Sequence, residues 1–100
     1  MNASFNFDPQ QKITIRVLLL EDNPADVELS LRALWHGGLR VEADVVTTLA
    51  ELEQKIREKS HDIVLADYNL PSCTGLDALR LIRELSPGLP LILVTGMLGE

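Results

Sequence analysis

The hydrophobic pattern changes period several times along this 100-residue chain. "ITIRVLLL" (13–20) is rich in β-branched and aliphatic residues and predicts a strand that ends in the polar "EDN". From Pro24 the spacing becomes helical. Val27, Leu31 and Leu34 fall at i, i+4 and i+7, on one apolar face, and Gly37-Gly38 ends the helix. Pro24 suits a first helical turn, with Asp26 favourable near the positive end of the helix. In "VEADVV" (41–46), Val41, Ala43 and Val45 alternate with charged Glu42 and Asp44, a pattern suited to an outer strand.

Thr48 and Glu51 predict a capping box for a helix lined by Leu49, Leu52 and Ile56. Ile63-Val64-Leu65-Ala66 is a short apolar run that ends in Asp67 and turn residues, which reads as a strand buried on both faces. A loop through Gly75 leads to a helix carrying Leu76, Leu79 and Ile82, and "SPGLP" breaks it. "LILVT" (91–95) predicts a fourth buried strand. A β-α-β-α-β-α-β alternation implies an α/β fold: a doubly wound parallel sheet with right-handed crossovers and helices on both faces.

Such sheets bind ligands beyond the carboxyl ends of their strands. The unusual residues of this chain fall there: Glu21 and Asp22 after strand one, Asp67 after strand three, Thr95 after strand four. With strands one and three as neighbours, three carboxylates share one pocket. Each like-charge pair near 4 Å then costs roughly 1–4 kcal/mol, so a proton or a divalent cation must relieve it. Oxygen-only ligands favour Mg²⁺, or Mn²⁺ in its place. A carboxylate held there can act as a nucleophile toward a phosphoryl group, and Asp67, at the end of the central buried strand, is the first candidate. The Thr95 hydroxyl and the Gly96 backbone N–H are candidate donors to a phosphate oxygen.

Composition narrows the partners. Nine basic against fifteen acidic side chains give a net charge of −6, which argues against binding nucleic acid through its phosphates. The 46% apolar and 24% charged fractions are those of an ordinary globular protein. Cys73 is the single cysteine, so no internal disulfide forms, which fits a reducing, cytoplasmic setting. No apolar run is long enough to span a membrane, and "MNASFNFDPQQK" lacks the features of a signal peptide. Residues 1–12 read as a loose polar leader ahead of one domain, 13–100. His36 and His61 read as isolated residues near helix ends, and Trp35 as an anchor at the edge of the core.

"VLLLEDN", "DIVLADYNLPSCTGLDALRLIR" and "LPLILVTG", in this order and spacing, resemble the receiver domain of two-component response regulators. The resemblance covers residues 15–100. It implies the flavodoxin-like strand order 2-1-3-4, with Asp67 accepting phosphate from a histidine kinase or a histidine phosphotransfer protein. It implies Mg²⁺ on Asp22 and Asp67 directly, on Glu21 largely through water, and on the Asn69 backbone carbonyl. Thr95 becomes the switch hydroxyl, and Pro71 and Gly75 shape the loop. The family's phosphate-contacting lysine, at the end of a fifth strand, has no counterpart before Glu100, so the expectation is a receiver truncated before its fifth strand and helix. Strand 91–95 would then be an exposed edge open to self-association. A degenerate or truncated receiver acting as a protein-interaction module without phosphorylation is the competing reading. An aspartate-nucleophile phosphohydrolase of the haloacid-dehalogenase type is disfavoured, because it wants an acid where Asn69 stands.

Overall fold

The computed structural model describes residues 13–68, 70–71 and 73–94. The expected alternation is present: β1 (Ile13–Leu20), α1 (Pro24–His36), β2 (Leu39–Val46), α2 (Leu49–Glu58), β3 (Ile63–Asp67), α3 (Gly75–Leu85) and β4 (Leu91–Val94). All strand pairs are parallel and the order is β2-β1-β3-β4. This is the flavodoxin-like arrangement, with β1 and β3 adjacent at its centre.

The alternation of side chains along β1 builds two cores. Leu18 and Leu20 face one side with Val64 and Ala66 of β3, packed under Leu52 of α2 and Ala78 and Ile82 of α3. Val17 and Leu19 face the other side with Leu65, covered by Val27, Leu31 and Leu34 of α1. Burial on both faces is why β1 and β3 read as continuous apolar runs rather than alternating ones.

Four local expectations need correction. β2 begins at Leu39, two residues before the alternating pattern, because the backbone ladder pairs Leu39 and Arg40 with Ile13 and Thr14. Gly38, at φ 92°, supplies the left-handed turn that feeds it. At α2, the Glu51 N–H donates to Thr48 Oγ1 at 3.1 Å, but the Glu51 carboxylate accepts from the Thr47 N–H and hydroxyl, so no reciprocal box forms there. The reciprocal capping box lies at α3, between Thr74 and Asp77. That helix buries Gly75, Ala78 and Ile82, while Leu76 is exposed.

The fourth correction concerns β4. It is an edge strand among the described residues, with Ile92 49% and Leu93 38% exposed, and so is not buried on both faces. Val94 is its last described residue. Thr95, the expected end of the strand, lies outside the described residues, as do Asn69 and Gly96.

Candidate functional site

The site lies at the carboxyl ends of β1 and β3. Glu21 follows the last residue of β1, and its N–H donates to the Val46 carbonyl at 3.0 Å, which extends the sheet's bonding one residue past the strand. The chain then turns at once into α1. Asn23 caps that helix, its Oδ1 accepting from the N–H groups of Ala25 (2.9 Å) and Asp26 (3.4 Å), with Pro24 following as the first helical residue. The Asn23 N–H in turn donates to Glu21 Oε2 at 3.1 Å, so the cap also fixes the Glu21 side chain.

Asp67 closes β3. It pairs in register with Val94, and the Tyr68 N–H donates to the Val94 carbonyl at 3.0 Å. Because β1 and β3 are neighbours, these two strand ends meet. Glu21, Asp22 and Asp67 each present a carboxylate oxygen within 4.8 Å of the others. Glu21 is only 7% exposed, Asp67 is half-buried and Asp22 is exposed. The cluster thus has a buried floor and an open side. Glu21 and Asp67 also line a cavity of about 270 Å³, together with Asp26, Ser30 and Val94.

Electrostatics matches this geometry. Burial is the main cause that pushes the Glu21 carboxyl above its ordinary 4.5. The charges of Asp67, Asp26 and Asp22 add to the rise, and the hydrogen bond from Asn23 opposes it. Asp26, read from the sequence only as a helix-end charge, therefore also belongs to the rim of the site. The donor set is oxygen-only and anionic, which suits a hard divalent cation.

The three acids singled out in the sequence are brought together. The other three expected site positions, Asn69, Thr95 and Gly96, are among those outside the described residues. His61 departs from the expectation of an isolated residue. Its side chain is 1% exposed and its Nε2 lies 2.9 Å from Asp44 Oδ2, in the loop that precedes β3 rather than among the acids that follow the strands. Spacing alone could not show this contact, since Asp44 and His61 are 17 positions apart.

Comparison with known proteins places this geometry. The response regulator receiver domain family matches residues 17–99. The "Probable transcriptional regulatory protein TcrX" of Mycobacterium tuberculosis is 34% identical over 85 residues, which are 82% of this chain and 34% of that protein. "Two-component system protein A" of Emericella nidulans is 35% identical over 82 residues, 80% of this chain and 12% of that protein. The chain thus spans about a third or less of the length of these relatives. Among solved structures, the receiver domain of a sensor histidine kinase from Pseudomonas aeruginosa superimposes with a TM-score of 0.67 at 27% identity. The match covers 84% of this chain and 69% of that one, which holds a magnesium ion coordinated in its active-site cleft. Among the described residues no helix is long and apolar enough to cross a membrane. Sheet order, clustered acids and sequence match agree: the chain belongs to the response regulator receiver domain family of two-component signalling systems.

Proposed function

We propose that this chain is a phosphoacceptor switch in which Asp67 receives a phosphoryl group from a phosphohistidine on a histidine kinase or histidine phosphotransfer protein. One observation carries the reading: oxygens of Glu21, Asp22 and Asp67 converge within 4.8 Å beside an open side of the site. Three carboxylates that close are held together at a cost unless a cation joins them. Asp22 and Asp67 are the direct ligands in this reading, with Glu21 acting largely through water and the Asn69 carbonyl completing the protein's share. Mg²⁺ is the preferred occupant, with Mn²⁺ able to replace it. When bound, such a cation neutralises the carboxylates and the phosphoryl oxygens as charge shifts between them.

The chain's own residues supply position and nucleophile. The end of β3 fixes the Asp67 backbone through its register with Val94. An Asp67 carboxylate oxygen attacks phosphorus, the P–N bond to the donor imidazole breaks, and the imidazole leaves with the bonding electron pair and takes up a proton. The product is an aspartyl-phosphate. The Thr95 hydroxyl and Gly96 N–H are the proposed donors to its oxygens. Receiver domains are signalling domains that work with histidine kinases; here the phosphorylated form changes an interaction surface rather than turning over a free substrate.

The test is incubation of the longest natural chain that carries this domain with Mg²⁺ and acetyl phosphate, followed by intact mass. A gain of one phosphoryl group that needs Mg²⁺ and is lost with Asp67→Asn supports the reading. A gain that persists in Asp67→Asn overturns it.

A further inference from the structure

Glu21 and Asp22 form a two-residue bridge between β1 and α1, and the chain is held on both sides of it. At one end the Glu21 N–H donates to the Val46 carbonyl at 3.0 Å. At the other stands Asn23, whose side-chain Oδ1 accepts from the Ala25 N–H at 2.9 Å and the Asp26 N–H at 3.4 Å. Its carbonyl accepts from the N–H groups of Asp26 and Val27, both at 3.0 Å. A residue that precedes proline favours extended backbone, and Asn23, just before Pro24, sits at φ −99° and ψ 114°. Sequence and cap thus agree on one conformation for this residue.

We infer that Asn23 is a positioning residue for cation binding: its side chain, acting through the backbone, holds the Glu21 carboxylate in the acidic cluster. The inference rests on the reading of Glu21, Asp22 and Asp67 as a divalent-cation site. Among the described residues, the hydrogen bond that the Glu21 carboxylate accepts comes from the Asn23 N–H, at 3.1 Å to Oε2. Without it, two effects work against the observed placement. The carboxylate is buried and would lack a partner, and oxygens of Asp22 and Asp67 within 4.8 Å repel it.

A glutamate side chain also loses much rotamer freedom when it is ordered. The fixed N–H does that ordering before an ion arrives, which is how pre-organisation raises affinity. One such bond leaves the carboxylate most of its acceptor capacity, since two ionised oxygens offer about four lone-pair sites. The cap can be varied without dismantling α1. Ser keeps a side-chain oxygen at this position, whereas Gly lacks one and is still well tolerated at a helix N-cap. A Gly variant therefore separates the hold on Glu21 from the stability of the helix.

Calorimetric titration of the full 100-residue chain with Mg²⁺ tests this. Asn23→Gly and Asn23→Ala are expected to weaken binding about tenfold, the low end for losing a group that orients a metal ligand. Asn23→Ser is expected to retain most of the affinity. Thr48 caps α2 through the Glu51 N–H at 3.1 Å, so Thr48→Ala should lower the urea midpoint while leaving Mg²⁺ affinity unchanged. Hydrogen exchange gives a reading without the ion: the residue-23 amide should exchange faster in the Gly and Ala variants than in the unsubstituted chain or Asn23→Ser. Full Mg²⁺ affinity in a folded Asn23→Gly or Asn23→Ala overturns the inference and leaves the cation site standing. So does an equal loss in Asn23→Ser, or one in Thr48→Ala, which marks a general loosening of the fold. Absence of Mg²⁺ binding by the unsubstituted chain removes the cation site itself, and this inference with it.

Discussion

His61 Nε2 lies 2.9 Å from Asp44 Oδ2, and this contact ties the loop after α2 to the edge strand β2. An ionised carboxylate can only accept, so Nε2 carries the proton and donates it. Nδ1 of the same ring is buried with no hydrogen-bond partner among the described residues. The Asp44 contact is therefore what compensates the burial of this imidazole. Lys59 Nζ, 3.1 Å from the same carboxylate oxygen, is half exposed and adds little.

Asp44→Ala leaves the buried ring without its partner and is expected to destabilise the chain by about 1–3 kcal/mol at neutral pH. The His61 hydrogen bond is the first cause holding the Asp44 carboxyl below its ordinary 3.8. A lowered acid contributes stability that is fully present above the ordinary value and is lost as pH falls through the lower folded-state value. Urea midpoints of the two chains should therefore differ most above pH 3.8 and converge below it. A difference that grows in acid would contradict this assignment.

Gly75, the first residue of α3, stands against Leu93 of β4 so closely that an added Cβ would lie 2.3 Å from Leu93 Cδ2. Gly75→Ala must displace the Leu93 side chain, one residue before the end of β4. Because the contact is with the tip of a partly exposed side chain that can change rotamer, we expect a loss of about 0.5–1.5 kcal/mol, and part of it should be recovered when Leu93→Ala makes room. In a double-mutant cycle the paired change then costs less than the sum of the single ones. Strict additivity would show that the loop and β4 are not coupled through this contact.

How far the sequence could be read depended on the range of the interaction concerned. Strand and helix identities were legible because β1 and β3 are buried on both faces and the α1 face repeats Val27, Leu31 and Leu34 at helical spacing. The meeting of Glu21, Asp22 and Asp67 was legible for a related reason. Acids at strand ends need no knowledge of side-chain packing once the sheet is parallel. The spacing in "TGLD" encodes the cap at Thr74–Asp77, but "TLAE" at Thr48–Glu51 has the same spacing, and only the neighbouring Thr47, which takes the Glu51 carboxylate, separates the two. The His61–Asp44 contact and the Gly75–Leu93 approach depend on which side chains the crossovers bring together. No local pattern encodes those.

Among the described residues β4 is an edge strand, and its exposed Ile92 and Leu93 carry no charge to discourage pairing. The 100-residue chain is expected to self-associate through this edge at high concentration. Ile92→Lys places a charge on the exposed position and should return the light-scattering mass to that of one chain. A single-chain mass for the unsubstituted protein at high concentration would count against the expectation.

The acidic cluster makes opposite demands with and without a cation. The Glu21 carboxyl sits above 4.5, chiefly through burial and then through its acidic neighbours. For a raised acid, ionisation costs folded stability above the raised value, and that cost fades as pH falls toward 4.5. Glu21→Gln keeps an oxygen to accept from the Asn23 N–H but removes the charge. In chelator it should therefore stabilise the chain at neutral pH by about 1 kcal/mol, the lower end for like charges near 4 Å. Added Mg²⁺ should stabilise the unsubstituted chain by about 2.7 kcal/mol at a hundred times its dissociation constant. The variant, with one acid fewer, should gain less. Lowering the pH into the raised range of Glu21 should likewise shrink the gain of the unsubstituted chain, because a protonated carboxyl no longer attracts the ion. Thermal unfolding in chelator and in Mg²⁺ tests both halves. If Glu21→Gln destabilised the cation-free chain and kept the full response to Mg²⁺, the acids would not be acting as one site.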